Sequence, residues 1–371
     1  RIHAGEGLAS LDAKESLRFS EMERYQMLSE IALTGPDVVR SIEEAKRTIR
    51  TPELFYDYQR YLRAGRTLEQ GLRLLSAEYA PTRLTPHNFV MRNRLEFSGE
   101  IVAALDDRAH NPYVEWFEED LVPRIQAADP DLLGISVTFG AQAIPALTLC
   151  KQLKAWKPDL HITLGGGLLA YIAEKLVKNE AVWDLFDSIV MLEGERALHH
   201  LCEAVDEGRE DLSNVTNLIW RSPRGEVRVN TQQEPLDIKE LPTPDFDGLP
   251  LDKYFSPELV LPLASTRGCY WGKCVFCTLY TVIGPGYRGR TVDQTVEDLA
   301  FLKEKYNTKH FYMVIEDLPP NHAKALPRKI IEAGLDIDWW CDARLEHDVF
   351  TQEVCDDLAE AGCKRIAFGY E

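Results

Sequence analysis

Two stretches in which short apolar runs alternate with segments of helical period, parted by a proline-rich interval, leave few folds open to this chain. In the first, Leu132-Leu133-Gly134-Ile135-Ser136-Val137 is an apolar run of buried-strand length after a helical segment at 114–122. A helix at 143–154, a strand at 161–164 ending in Gly165-Gly166-Gly167, a helix at 171–178, a strand at 188–192 and a helix at 197–205 follow. That rhythm predicts an open parallel sheet whose ligands sit beyond the carboxyl ends of its strands. The second stretch repeats it, with strands near 260–265, 310–315, 338–341 and 365–368 and helices at 292–306, 321–333 and 352–361. Four strands with intervening helices suggest a partial or truncated barrel.

Between the two, residues 223–250 are rich in Pro, Asp and Gly, and Leu241-Pro242-Thr243-Pro244-Asp245-Phe246-Asp247 reads as extended chain, because residues before proline avoid the helical region. A domain boundary belongs there. The first hundred or so residues read as helical: Val38, Val39, Ile42, Ala45 and Ile49 recur at helical spacing behind Pro36, and Phe55, Tyr58, Leu62, Leu68, Leu72 and Leu75 continue the pattern. Such amphipathic helices serve as packing scaffold. No internal repeat or low-complexity tract interrupts this order.

A length of 371 residues exceeds what one hydrophobic core usually organises, which points to two or three domains. The 60 acidic against 42 basic residues give a net charge of -18 and disfavour nucleic acid or an anionic membrane surface as main partner. No apolar run approaches the length of a membrane span and no signal-peptide pattern opens the chain, so a cytoplasmic location is expected. The chain starts at Arg1 rather than Met and stops at Glu371 just after a strand-like run, so we expect a longer native polypeptide.

Eight cysteines are too sparse for a disulfide framework, and three fall within nine positions. They lie in Thr266-Arg267-Gly268-Cys269-Tyr270-Trp271-Gly272-Lys273-Cys274-Val275-Phe276-Cys277, directly after an expected strand. Three thiolates can hold three irons of a [4Fe-4S] cluster and leave the fourth open to a small molecule's amino nitrogen and carboxylate. Phe276 can pack on a flat ring, and Gly268 and Gly272 suit places where backbone passes close to something bulky. A zinc site completed by Cys341 or His347 is the alternative, though structural zinc usually shows two paired ligand knuckles. Cys150, Cys202, Cys355 and Cys363 read as small packing residues; Cys341 reads the same way, with an auxiliary role at the cluster's mouth left open. Trp339, Trp340 and Tyr370 are expected to line or support the cavity.

The segment from about 258 to 371 resembles the first two-thirds of a radical S-adenosylmethionine (SAM) domain. The usual Cys-x3-Cys-x2-Cys motif of that superfamily has one extra residue in its first gap here, which argues for a subfamily with its own loop geometry. The resemblance implies reduction of SAM at the cluster to methionine and a 5'-deoxyadenosyl radical, with an electron donor such as flavodoxin or ferredoxin. It also implies that Glu316 and Asp317 meet the SAM amino group, that Arg344 and Glu371 meet its carboxylate and ribose, and that Phe276 lies against it. Carboxylates suit an ammonium and hydroxyls, and a guanidinium forks onto a carboxylate.

The 113–206 unit resembles the cobalamin-binding Rossmann domain that precedes the barrel in B12-dependent radical SAM proteins. Its matching phrases are Pro130 through Phe139, then Gly165-Gly166-Gly167, then Glu193-Gly194-Glu195. The resemblance implies cobalamin contacts at Ser136, Thr138, Gly165, Gly166, Gly167, Glu193 and Gly194. The Asp-x-His-x-x-Gly signature, whose His ligates cobalt from below, is absent, as in the subset where no His replaces the displaced tail base. The expected architecture is therefore α/β, with a helical N-terminal region (1–110), a Rossmann-like cobalamin-binding domain (111–222), a linker (223–257) and a partial radical SAM (β/α) barrel (258–371). The expected activity is methylation of an unactivated carbon of a peptide or other natural product. Cyclisation or rearrangement without methyl transfer is the runner-up, and a zinc-stabilised binding module is a reading of another class.

Overall fold

A computed structural model describes residues 4–14, 16–231 and 234–369. The chain divides into two compact units, residues 1–48 with 57–233, and residues 49–56 with 234–371.

The first unit opens on helices Ala4–Asp12, Phe19–Arg50 and Tyr58–Glu78. The second of these runs straight through Pro36, so the helix expected behind that proline is the rear half of a longer one. Asp57 starts the third by accepting from the backbone N–H groups of Gln59 and Arg60. Leu28, Ile31, Val38, Leu74 and Ala77 form the small core that these helices share. A short antiparallel ladder, β1 (Arg83–Leu84) with β2 (Phe89–Val90), leads into the α/β part. The helix expected at 114–122 is broken by a π-turn at Phe117–Leu121, just ahead of Pro123, which has no N–H to continue the ladder.

Five strands follow in the sheet order β3 (Leu132–Ser136), β4 (His161–Gly165), β5 (Ser188–Val190), β6 (Leu218–Arg221), β7 (Val227–Val229). Strands β3, β4 and β5 are parallel, whereas β5–β6 and β6–β7 are antiparallel. The expected all-parallel sheet is therefore corrected to a mixed one, and β7 lies inside the interval that reads as linker. A tight turn explains it: the Gly225 N–H donates to the Ser222 carbonyl and Gly225 adopts φ +84°, which joins β6 to β7 through Pro223. The core on this sheet is built of apolar side chains, with Leu153, Leu160, Ile162 and Ile189 fully buried.

In the second unit, β8 (Val260–Leu263) runs into a short β9 (Thr266–Arg267), which pairs antiparallel with β10 (Arg288–Gly289). The main sheet is four parallel strands in the order β13 (Cys363–Gly369), β12 (Asp338–Arg344), β11 (His310–Met313), β8. Helices Val292–Tyr306, Pro320–Glu332 and Gln352–Glu360 supply the crossovers. The first starts in a capping box, with the Thr291 hydroxyl accepting from Gln294 N–H and the Gln294 side chain accepting from Thr291 N–H, and it ends at left-handed Asn307.

Alternation along these strands sorts side chains to two faces. Leu261, Leu263, Phe311, Met313, Trp339, Cys341 and Ala343 face the core. Tyr312, Glu316, Trp340, Asp342 and Arg344 are only partly buried and lie on the other face. Cys341 is fully buried, and burial pushes its thiol well above the ordinary range, so ordinary packing is its role. Trp339 likewise sits with the core, its indole N–H donating to the Ala361 carbonyl at 2.9 Å, rather than lining the cavity. Tyr370 lies outside the described residues.

Candidate functional site

Cys269, Asp317 and Arg344 meet at the carboxyl ends of the second unit's strands. The cysteine-bearing loop leaves β9 and returns through β10, so its two ends are tied by the Thr266–Gly289 and Arg267–Arg288 pairs. The neck is closed tightly: a Cβ at Gly268, which has φ +78°, would stand 2.1 Å from the Gly286 carbonyl oxygen. Only glycine fits there.

Six side chains gather beside that neck, those of Cys269, Tyr270, Trp271, Asp317, Arg344 and Glu346. The Cys269 thiol lies 3.6 Å from Asp317 Oδ2, and Asp317 Oδ1 accepts from the Arg344 backbone N–H at 2.8 Å. Burial raises the pKa of the Asp317 carboxyl against the pull of those donors, and burial likewise raises that of the Cys269 thiol. The Arg344 guanidinium stacks 3.9 Å from the centroid of Trp271 and donates to Glu346 Oε1 at 2.8 Å. Glu346 Oε1 also accepts from the Tyr270 hydroxyl at 2.7 Å. Tyr270, Trp271 and Glu346 belong to this cluster although the sequence reading passed over them. The signal available was their place, two inside the cysteine motif and one just past β12.

Glu316 is set apart from this net. Its Oε2 is buried with no hydrogen-bond partner, and burial raises its pKa although the charges of Arg267 and Arg288 oppose the shift. A raised carboxyl pKa means that the fold holds the proton more tightly than the unfolded chain, so this group's contribution is favourable in acid and is lost as pH rises through the folded value. Glu316→Gln should therefore raise the stability of the second unit at pH 8 by about 1 kcal/mol, and the gain should vanish near pH 4. Thermal unfolding of both proteins across that range checks it; a gain that persists in acid would assign the effect to packing.

Cys269, Cys274 and Cys277 are free thiols and half-buried, with the Cys277 N–H donating to the Cys274 carbonyl at 3.2 Å. Among the described residues no three His, Cys, Asp or Glu side chains already converge on a metal position. Neutral thiols gain little from meeting one another, and metal sites are rarely preformed without their metal. The donor set nonetheless fits iron: three thiols on one loop, beside buried carboxylates, on a neck that admits no side chain. Phe276 is 65% exposed on the same loop. Glu371 lies outside the described residues.

In the first unit the loops after β3, β4 and β5 carry the other phrases. Gly165 ends β4, and its carbonyl accepts from Val137 N–H at 2.7 Å. Gly166 follows with φ +107°, and a Cβ there would come within 2.7–2.9 Å of the Val137 backbone. That contact requires glycine and brings two strand ends together. Gly166 and Gly167 open the helix Gly167–Val177, and Gly194 caps Glu195–Asp206. Ser136 and Thr138 are exposed at the end of β3, and Glu193 is half-buried after β5. Gln142, which the sequence reading did not single out, holds the 138–139 turn by accepting from both backbone N–H groups at 2.8 and 3.0 Å. Beside these loops a cavity of about 400 Å³ is lined mainly by apolar side chains, among them Leu95, Val137, Leu164, Leu168 and Ile172.

Residues 92–202 match the B12 binding domain family. The chain is 30% identical over 257 residues to an uncharacterised methyltransferase, PH0819, of Pyrococcus horikoshii, which covers 68% of this chain and 54% of that protein. It is 25% identical over 265 residues to the anaerobic magnesium-protoporphyrin IX monomethyl ester cyclase of Rubrivivax gelatinosus, covering 68% of this chain and 46% of the other. Among solved structures, the cobalamin-dependent SAM radical enzyme OxsB, with aqua-cobalamin and SAM bound, aligns with a TM-score of 0.56 at 22% identity, over 73% of this chain and 41% of that one. That last likeness carries the fold: a B12-binding domain followed by the barrel-type unit. The chain spans about half the length of the curated relatives it matches.

Proposed function

This chain belongs to the B12-binding radical SAM protein family, and from that premise we propose that it is part of an enzyme that methylates an unactivated carbon of a peptide or other natural product. The observation that carries the reading is the order of parts: a B12-binding match at 92–202, then a parallel-sheet unit with three free thiols on the loop after its first strand. Bound together, the iron–sulfur cluster, SAM and cobalamin supply a hydrogen-abstracting radical and a transferable methyl group.

The chain's own residues bind and orient. Cys269, Cys274 and Cys277 hold the iron. The half-buried Glu316 carboxylate, lacking a partner on Oε2, suits the ammonium of SAM, and a cation there draws its raised pKa back down. Asp317 holds the end of β12 through the Arg344 N–H and stands beside Cys269, and the Arg344 guanidinium, held by Glu346 and the Trp271 ring, keeps further N–H groups for a carboxylate. Glu371 and Phe276 complete the proposed SAM contacts. Ser136, Thr138, Gly165, Gly166, Gly167, Glu193 and Gly194 form the proposed cobalamin contacts, with the close Gly166–Val137 backbone contact fixing the strand ends that present them. An electron donor such as flavodoxin or ferredoxin and a cytoplasmic setting belong to the same proposal. Among the described residues no helix is long and apolar enough to cross a membrane.

The test is an anaerobic ultraviolet-visible spectrum with iron, sulfide and cobalt quantified after reconstitution with cluster and hydroxocobalamin, beside two variants. A brown protein with about four irons and one cobalt is expected. The triple Cys269, Cys274, Cys277→Ala variant should lose its iron alone, and Gly166→Ala should lose cobalt at least tenfold while keeping iron. Iron without cobalt would leave the cyclisation or rearrangement reading, and zinc uptake with no iron would overturn both.

A further inference from the structure

On the sheet face that carries Arg344, residues deeper along the strands are left unused by the cofactor assignments above. Tyr312 and Trp340 are direct neighbours across β11 and β12, and their rings stack with centroids 5.7 Å apart and planes 22° from parallel. Stacking on Tyr312 occupies one face of the indole. Among the described residues no cation or other ring covers the opposite face of Trp340, which looks toward β13.

Arg365 is Trp340's partner on β13. A register shift between Trp339 and Trp340 puts Lys364 out of the ladder; Cys363 and Ile366 pack with the core, so Arg365 shares the face of Trp340. Its side chain is exposed and has no hydrogen bond or ion pair among the described residues. Two residues further along β12, Asp342 lies on this same face, half-buried. Its Oδ2 accepts from the Tyr312 hydroxyl at 3.1 Å, and no cation pairs with it among the described residues. Asp342's partner on β13 is Ala367, a small side chain. From Trp340 to Arg344 at the mouth is four residues of strand, roughly 13 Å.

An open indole face, an uncompensated carboxylate on one side and an unpaired guanidinium on the other form a three-point site. Aromatic faces take planar π-systems in offset stacks, a carboxylate takes an amine or amide donor, and a guanidinium takes an acid in a fork. Resting on the reading that this unit houses the reaction, we propose that Trp340, Asp342 and Arg365 bind the substrate, and that the substrate carries a planar conjugated ring with an amine or amide donor and an acidic group attached. Trp340 and Arg365 fix which ring system is admitted, and Asp342, nearest the mouth, fixes which end faces the iron loop.

The experiment is calorimetric titration of the reconstituted chain with three probes: L-tryptophan, tryptamine and indole-3-propionate. L-Tryptophan should bind saturably, at least fivefold tighter than either of the others. Asp342→Asn should weaken tryptamine at least fivefold and leave indole-3-propionate unchanged, Arg365→Gln should do the reverse, and Trp340→Leu should weaken all three tenfold or more, with Trp340→Phe restoring most of it. Iron and cobalt contents of every variant serve as the folding control and read the family assignment separately. Normal iron and cobalt with no saturable probe binding, or with binding indifferent to all three substitutions, overturns this proposal and leaves the enzyme reading standing. Probe binding with the expected selectivity in a protein that takes up neither metal overturns the enzyme reading instead.

Discussion

Gly268→Ala will leave the protein with less than about a tenth of its reconstituted iron and will lower the stability of the second unit by at least about 3 kcal/mol. The added methyl meets the Gly286 carbonyl oxygen at 2.1 Å, and that oxygen belongs to backbone held by the β9–β10 ladder. Relief requires either that φ leave +78° or that the ladder open, and either move shifts Cys269, the next residue, away from Asp317. Iron analysis and urea denaturation read the two effects separately. Wild-type iron content in a folded variant would show that the neck does not govern the thiols.

An Asp298→Ala variant should lose about 3–5 kcal/mol, the cost of leaving a buried cation without its partner. Arg290 is 8% exposed and Asp298 2%. Nε of Arg290 stands 2.7 Å from Oδ2, and Nη2 donates to Oδ1 at 3.2 Å. Asp298 Oδ1 also accepts from the Thr243 hydroxyl at 2.6 Å, so Arg290 Nη2 and Thr243 both lose their acceptor in one substitution. Replacing both partners by apolar residues, Arg290→Met with Asp298→Leu, should recover little of the loss, because Arg290 also donates to the Ile238 and Leu241 carbonyls and the double variant strips them of that donor. A single variant as stable as wild type, measured by denaturation midpoint and slope, would show that water reaches the pair.

Much of this was legible beforehand because period and spacing are local properties. The helix at Val292–Tyr306 and the parallel strands follow from apolar recurrence, and the position of Glu316 and Asp317 just after β11 follows from counting past a strand. What escaped needed parity or distant partners. Trp339-Trp340-Cys341 places three packable residues in a row, so alternation alone does not say which of them faces the core; the structure assigns Trp339 and Cys341 there and Trp340 to the other face. The β6–β7 hairpin hid because Pro223 and Gly225 read as linker composition, while the charged Arg228 dilutes the apolar signal of β7. The contacts of Tyr270 with Glu346, and of Arg290 with Asp298 and the chain at 238–243, join residues that no periodicity relates. At the cysteines the spacing is plain and the convergence is not, since convergence depends on a metal that the polypeptide does not encode by itself.

The arginines beside the neck grip their partner segment in an unusual way. Arg288 donates to the Leu236 carbonyl at 3.1 Å, and Arg290 donates to the carbonyls of Ile238 and Leu241 at 3.0 and 2.8 Å. Every acceptor is main chain, which any amino acid provides and proline provides as well as the rest. Mutational drift between 236 and 241 therefore meets little resistance from this attachment, whereas a change at either arginine removes that arginine's share of it. Related sequences should vary at the exposed positions of the captured segment, with buried Ile238 kept apolar, yet keep a cation at both capturing positions, and an engineer could rewrite the exposed residues without releasing the strand that closes the thiol loop.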